Sequence, residues 1–177
     1  PYQKRSFQRF INPGMPIPKD SIAIHEITDA MVSDANNFSI VMQEFIEFCD
    51  GEVVLIAHNS DNFDLPFIRA ECKRHSIAIP DHWIYLDSLK WARRYRKDLP
   101  RHSLQYLRQM YSIAENKAHR ALNDSIILAE VFFNMIDDLT IEQVIACLGI
   151  QVGMQADTYS NSKTAQQETP KILTLFN

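Results

Sequence analysis

Five apolar residues in a row, Val53-Val54-Leu55-Ile56-Ala57, constrain this chain more than any other stretch. The run carries no charge, opens on two β-branched residues and has turn-formers on both sides, the pattern of a buried strand. HNSDNFD, His58 to Asp64, follows it directly, and Leu65-Pro66-Phe67-Ile68 then opens a segment of helical spacing that runs through Cys72 to about Ser76. Pro66 fits such a helix only in its first turn, where a missing N–H costs nothing. Asp64 therefore stands where a buried strand has ended and a helix is starting. In an open α/β sheet that edge is where ligands bind.

The flanking segments fill in a layered α/β domain. Ser6 to Ile11 alternates weakly and reads as a strand, ended by Asn12-Pro13-Gly14, with an extended proline-bearing loop from Met15 to Lys19. Ser21 to Ile27 predicts one short helical turn, with Thr28 and Asp29 as caps for the next. Phe38, Val41, Met42, Phe45, Ile46 and Cys49 recur at three and four, so Ser39 to Asp50 is an amphipathic helix stopped by Gly51. Trp83 to Leu86 reads as a second strand, and Asp87-Ser88 as the cap of a helix from Leu89 to Arg96. Pro100 breaks that helix; His102-Ser103-Leu104 restarts one to Tyr111. Ala121 to Leu139, with a broad apolar face, is the central packing helix, and Thr140 caps a last one over Ile141 to Leu148. Residues 149–177 are polar, and from Gln151 onward the expectation is a mobile tail after a domain spanning residues 1–148.

Composition excludes little. A length of 177 residues suits one domain, and a net charge of −4 advertises no global attraction to nucleic acid, though local carboxylates neutralised by metal would leave such binding open. Three cysteines, Cys49, Cys72 and Cys147, are scattered through apolar helical contexts and predict buried thiols in a reducing compartment. No apolar run reaches membrane-spanning length and no signal peptide opens the chain, so a cytoplasmic location without membrane contact is expected.

A second carboxylate comes from AHRALNDS, Ala118 to Ser125, at the head of the long helix. His119 and Asp124 are five residues apart, about 140° around a continuous helix, so they converge only if His119 lies in the loop before it. Carboxylates beside a histidine, with no convincing Ser or Cys nucleophile, point to hard-cation chemistry. Oxygen ligands hold Mg²⁺ or Mn²⁺, and a histidine can deprotonate water near neutral pH.

HNSDNFD resembles the second motif of the DEDDh (DnaQ-like) 3′–5′ exonucleases, HNxxFD, and AHRALNDS resembles their third, H-x4-D. The flanks FINPGMPIPKDSIAIHEITDAMV and WIYLDSLKWARRY…LPRHSLQYL are similar to the family's, so the resemblance spans roughly Ser6 to Leu139 and comes closest to the epsilon proofreading subunits of bacterial DNA polymerase III. It implies a ribonuclease H-like α/β fold, with a mixed central sheet flanked by helices. It also implies metal-dependent removal of 3′-terminal nucleotides from DNA as 5′-monophosphates, in proofreading or repair. Asp64 and Asp124 would be metal ligands, His119 the general base, and single-stranded or frayed 3′ DNA ends and a DNA polymerase III catalytic subunit the partners.

Two departures stand. The second motif has one more residue than usual before Phe63, as in animal three-prime repair exonucleases. The first motif, D-x-E-T-T-G, which supplies two more carboxylates on a first strand, is absent; FINPG places it just before Pro1. The chain opens on Pro without Met, so the expectation is a fold lacking its first strands through truncation, with a degenerate homologue as the alternative. Two ions are expected in the complete protein, and no tight two-metal site from Asp64 and Asp124 alone. Rival functions are RNA trimming within the superfamily and an inactive nucleic-acid- or polymerase-binding domain.

Blander roles compete residue by residue. His58 and Asn59 read as anchors of the backbone, with Asn59 also a candidate for substrate contact. His25 and Thr28 suit loop support and substrate binding equally. Phe63 reads as a packing residue before a base-stacking one, Asp87 as a helix cap and Asp61 as solvated. The basic run Lys90, Arg93, Arg94, Arg96, Lys97, Arg101 reads as a solvated face before a phosphate-binding one. Ile172 to Phe176 resembles a clamp-binding pentapeptide without its Gln, a match short enough to be chance.

Overall fold

The computed structural model describes residues 5–114, 121–147 and 171–174. Its first helices are α1 (Lys19–His25), α2 (Asp29–Val32) and α3 (Phe38–Phe48); β1 (Val53–Ala57), α4 (Asp64–Arg74), β2 (Ile84–Asp87) and α5 (Ser88–Tyr95) follow. After them come α6 (Leu104–Met110), α7 (Ala121–Asp137), α8 (Ile141–Cys147) and β3 (Lys171–Thr174). Helix ends sit where the capping residues put them. Asn37 accepts from the Ile40 N–H at the start of α3, Asp87 from Leu89 at α5, and Ser103 from Tyr106 at α6. Thr140 and Gln143 cap α8 reciprocally, each side chain accepting the other's backbone N–H.

The described strands form one sheet in the order β2-β1-β3, parallel throughout. β1 is covered on both faces, and its alternation divides the core in two. Val53, Leu55 and Ala57 pack with Met42, Cys49, Cys72 and Trp83, from α3, α4 and the approach to β2. Ile56 goes with Leu86, Trp91, Leu107, Ile127, Leu128, Val131 and Phe132, from α5, α6 and α7. A strand buried on both faces needs an unbroken apolar run, and this is why VVLIA lacks a polar residue.

Three expectations are corrected. Ser6 to Ile11 forms no strand: its backbone has no ladder partner among the described residues, and Phe7 is instead held by the rings of Phe45 and Phe48, at 5.6 and 5.5 Å. A strand is a pairing and not a propensity, so weak alternation could not decide this. Without that segment the described sheet is parallel where a mixed one is expected. Finally, the polar tail is not wholly without structure: Lys171–Thr174 runs beside β1, with Val54 opposite Ile172 and Ile56 opposite Thr174. Cys49 and Cys72 are buried free thiols as expected; the side chain of Cys147 lies outside the described residues.

Candidate active site

β1 and β2 run in parallel register with Ala57 opposite Asp87, so both strands end level and the loop after β1 meets the start of α5. The loop after β1 is HNSDNFD. His58 is buried, with Nδ1 3.0 Å from the Ser88 hydroxyl, which itself donates to the Ala57 carbonyl at 3.2 Å. A hydroxyl has one proton to give, so it accepts from Nδ1–H, and the network assigns His58 to the tautomer protonated there. Burial holds the His58 pKa below its ordinary value; the His102 backbone and Asp87 pull the other way, and Nε2 has no partner in hydrogen-bond geometry.

Asn59 takes a left-handed backbone, φ +68°, a conformation Asn tolerates better than most side chains. Its N–H donates to Asp87 Oδ1 at 2.9 Å, and its own Oδ1 accepts from Asn62 Nδ2 at 2.8 Å. The Leu65 N–H returns to the Ser60 carbonyl at 2.9 Å, closing the loop onto α4. Asp64 is the first residue of α4, so its carboxyl leaves the helix where backbone N–H groups are still exposed. One oxygen, Oδ2, is buried with no hydrogen-bond partner. The carboxyl pKa is pushed up to about 6, first by burial and further by the neighbouring Asp87 carboxylate, against the pull of its own backbone N–H. A buried carboxylate oxygen lacking a donor is satisfied by a proton or by a hard cation, so Asp64 fits a metal ligand.

Asp124 lies in the first turn of α7, half-buried, one turn before Ile127 and Leu128, which share a core cluster with Ile56 of β1. His119 lies outside the described residues. Among the described residues no three His, Cys, Asp or Glu side chains cluster as a metal cage.

The other candidates separate. His25 ends α1 and its Nδ1 accepts the Ile27 N–H at 3.0 Å, a bond that supports the loop. Thr28 caps α2 by position, without a side-chain cap bond. Phe63 does not pack: it is 66% exposed beside Asp64, and Phe67, one helical turn on, is 64% exposed. Phe63 stands just ahead of the helix, at φ −124°, ψ −73°. Asp61 is exposed and paired with Lys90, and Arg96 is taken up by Asp98 and Asp138, so part of the basic run serves the fold. Sequence reasoning undervalued Asp87. It is a helix cap, but it is also buried and tied to HNSDNFD, which only the strand register reveals.

Residues 2–132 match the sequence profile of RNase_T, described as an exonuclease family. The chain is 33% identical over 134 residues to the PolC-type DNA polymerase III of Caldanaerobacter subterraneus subsp. tengcongensis, covering 76% of this chain and 9% of the polymerase. It is 34% identical over 148 residues to the chloroplastic/mitochondrial exonuclease DPD1 of Arabidopsis thaliana, covering 76% of this chain and 46% of that protein. The chain thus spans less than half the length of these relatives. Among solved structures, Exonuclease X in complex with 5′ overhanging duplex DNA superimposes with a TM-score of 0.54 at 25% identity, covering 78% of each chain.

Proposed function

The chain belongs to the RNase_T exonuclease family, with its ribonuclease H-like α/β fold, and from that premise we propose a metal-dependent 3′–5′ exonuclease acting on DNA in proofreading or repair. The observation that carries the proposal is the unpartnered, buried Oδ2 of Asp64 at the C-terminal end of the central strand. Asp64 and Asp124 would hold Mg²⁺ or Mn²⁺, and the family's D-x-E carboxylates, where present, would complete a two-ion site. Bound there, the ions neutralise charge on the phosphodiester and make water easier to deprotonate. His119 takes the proton of the attacking water. The oxygen bonds to phosphorus as the bond to the preceding 3′ oxygen breaks, and a 5′-monophosphate leaves.

Phe63, exposed beside Asp64, stacks on a terminal base, and a frayed or single-stranded 3′ end is the matching substrate. His25, Thr28 and Asn59 are the further candidates for substrate contact. The similarity to a PolC-type polymerase makes a DNA polymerase III catalytic subunit the partner to test. The domain spans residues 1–148, with Lys171–Thr174 added to its sheet. No helix among the described residues is long and apolar enough to cross a membrane.

The test is release of mononucleotides from 3′-labelled single-stranded DNA by the full gene product. Release needs Mg²⁺ or Mn²⁺ and disappears in Asp64→Ala and Asp124→Ala, and His119→Ala slows it about 10²–10⁴-fold. Labelled RNA of the same sequence, degraded faster, would replace DNA as the substrate. Tight DNA or polymerase binding without any release sinks the enzyme reading.

A further inference from the structure

Asp87 makes more bonds than a helix cap requires. As the cap of α5 it accepts the Leu89 N–H at 2.9 Å, which completes that task. The same Oδ1 also accepts the Asn59 N–H at 2.9 Å, and Oδ2 reaches the Asp61 N–H at 3.4 Å. Two of its three bonds thus cross to the loop that delivers Asp64. Asp87 is itself buried, at 7% exposure, and its two bonds to the loop are part-buried, so their loss leaves a buried carboxylate short of donors. Its neighbour Ser88 repeats the pattern, joining α5 to Ala57 and His58.

The register explains the geometry: Asp87 stands opposite Ala57, so a side chain leaving the end of β2 reaches the amides two and four residues beyond the end of β1. The bonds also hold Asn59 in its left-handed conformation, which a free loop would not favour.

We propose that Asp87 is a positioning residue for the metal-binding carboxylate, fixing the backbone from Asn59 to Asp61 so that Asp64 enters α4 aimed at the ion. This rests on the reading of Asp64 as a metal ligand. Groups that orient a ligand in this way typically change metal affinity or activity by about 10–100-fold when removed.

Two substitutions separate positioning from capping. Asp87→Ser keeps a good N-cap for α5 but is too short to reach the loop amides. Asp87→Asn keeps one carbonyl oxygen for the Asn59 and Leu89 amides and turns an NH₂ toward Asp61. Mn²⁺ binding by titration calorimetry and amide exchange of the metal-free protein are measured on the full gene product, with thermal melting as the check on folding. The expected order of Mn²⁺ affinity is wild type, then Asp87→Asn, then Asp87→Ser, the last weaker by about 10–100-fold. Amide exchange at Asn59 and Asp61 should speed up about tenfold or more in Asp87→Ser, while that of Leu89 stays near wild type. Wild-type affinity and wild-type exchange in Asp87→Ser overturn the inference. If that variant does not fold, Asp87→Asn decides: unchanged Asp61 exchange and Mn²⁺ affinity overturn it equally. Asp64→Asn run in parallel isolates the premise. If Asp64→Asn binds Mn²⁺ like wild type, the ligand reading fails; if it loses binding while Asp87→Ser does not, only the positioning role fails.

Discussion

Asp64 concentrates the chemistry of the site in one oxygen. Its carboxyl keeps a proton up to about pH 6, whereas in the unfolded chain it ionises near its ordinary value of 3.8. Between those two pH values the native state binds more protons than the unfolded one, so this group costs stability as pH rises, and the full cost is present above pH 6. Metal-free Asp64→Asn should therefore melt higher than metal-free wild type at pH 7.5, by roughly 1–3 kcal/mol, with the difference vanishing toward pH 4. A cation must displace the same proton, so Mn²⁺ affinity should fall steadily as pH is lowered through 6. Calorimetric melts and Mn²⁺ titrations across pH 4–8 check both; a pH-independent affinity would contradict burial of this carboxylate. His58 bears the opposite sign. Its pKa is lowered by burial, so its contribution is complete above about 6.5 and is lost as pH falls.

Among the elements, β1 bears most of the fold. Ile56 and Leu55 are both almost fully buried, and they serve opposite faces. Ile56→Ala should cost about 2–5 kcal/mol in denaturant unfolding by leaving a cavity under α7, with Leu55→Ala costing a similar amount under α3 and α4. β3 pairs along the other edge of β1 from far along the chain. Deleting residues 171–177 should speed amide exchange along β1 while leaving β2 ends and the α7 amides nearly unchanged. Uniform exchange in both proteins would mean that β3 does not protect this edge in solution. Helix positions were legible in advance because caps and spacing are local: Asp87 and Thr140 read as caps and stand just before α5 and α8, and apolar spacing alone placed α3, whose cap, Asn37, only the structure shows. Ser6–Ile11 and Lys171–Thr174 were not legible, because a strand depends on a partner that neither segment contains.

At the scale of the whole molecule, charge limits how nucleic acid can be held. The net charge is −4, Lys90 is paired with Asp61 and Arg96 with Asp98 and Asp138. On the proposed reading, ions at Asp64 and stacking on Phe63 supply part of the attraction, and the exposed Arg93, Arg94, Lys97 and Arg101 are the cations left for phosphate. Binding to single-stranded DNA should then depend on divalent ions. Its logarithmic salt dependence, at about −0.7 per phosphate contacted, should be no steeper than about −3 in all if those four cations are the whole track. A slope several times steeper, measured by fluorescence anisotropy with Ca²⁺ in place of Mg²⁺, would show a basic track that this charge distribution does not provide.

The sequence by itself determined the central strand, the helix that follows it and the placement of Asp64 at their junction, because a five-residue apolar run and a first-turn proline are local facts. It also carried the family, through a third motif at the family's spacing and a second motif one residue longer than usual. Only the tertiary structure decided that Asp87 is tied to the HNSDNFD loop, that Phe63 faces solvent and that the far tail supplies a strand. Each of these depends on the register between segments distant in sequence, and no periodicity within a segment encodes a register between segments.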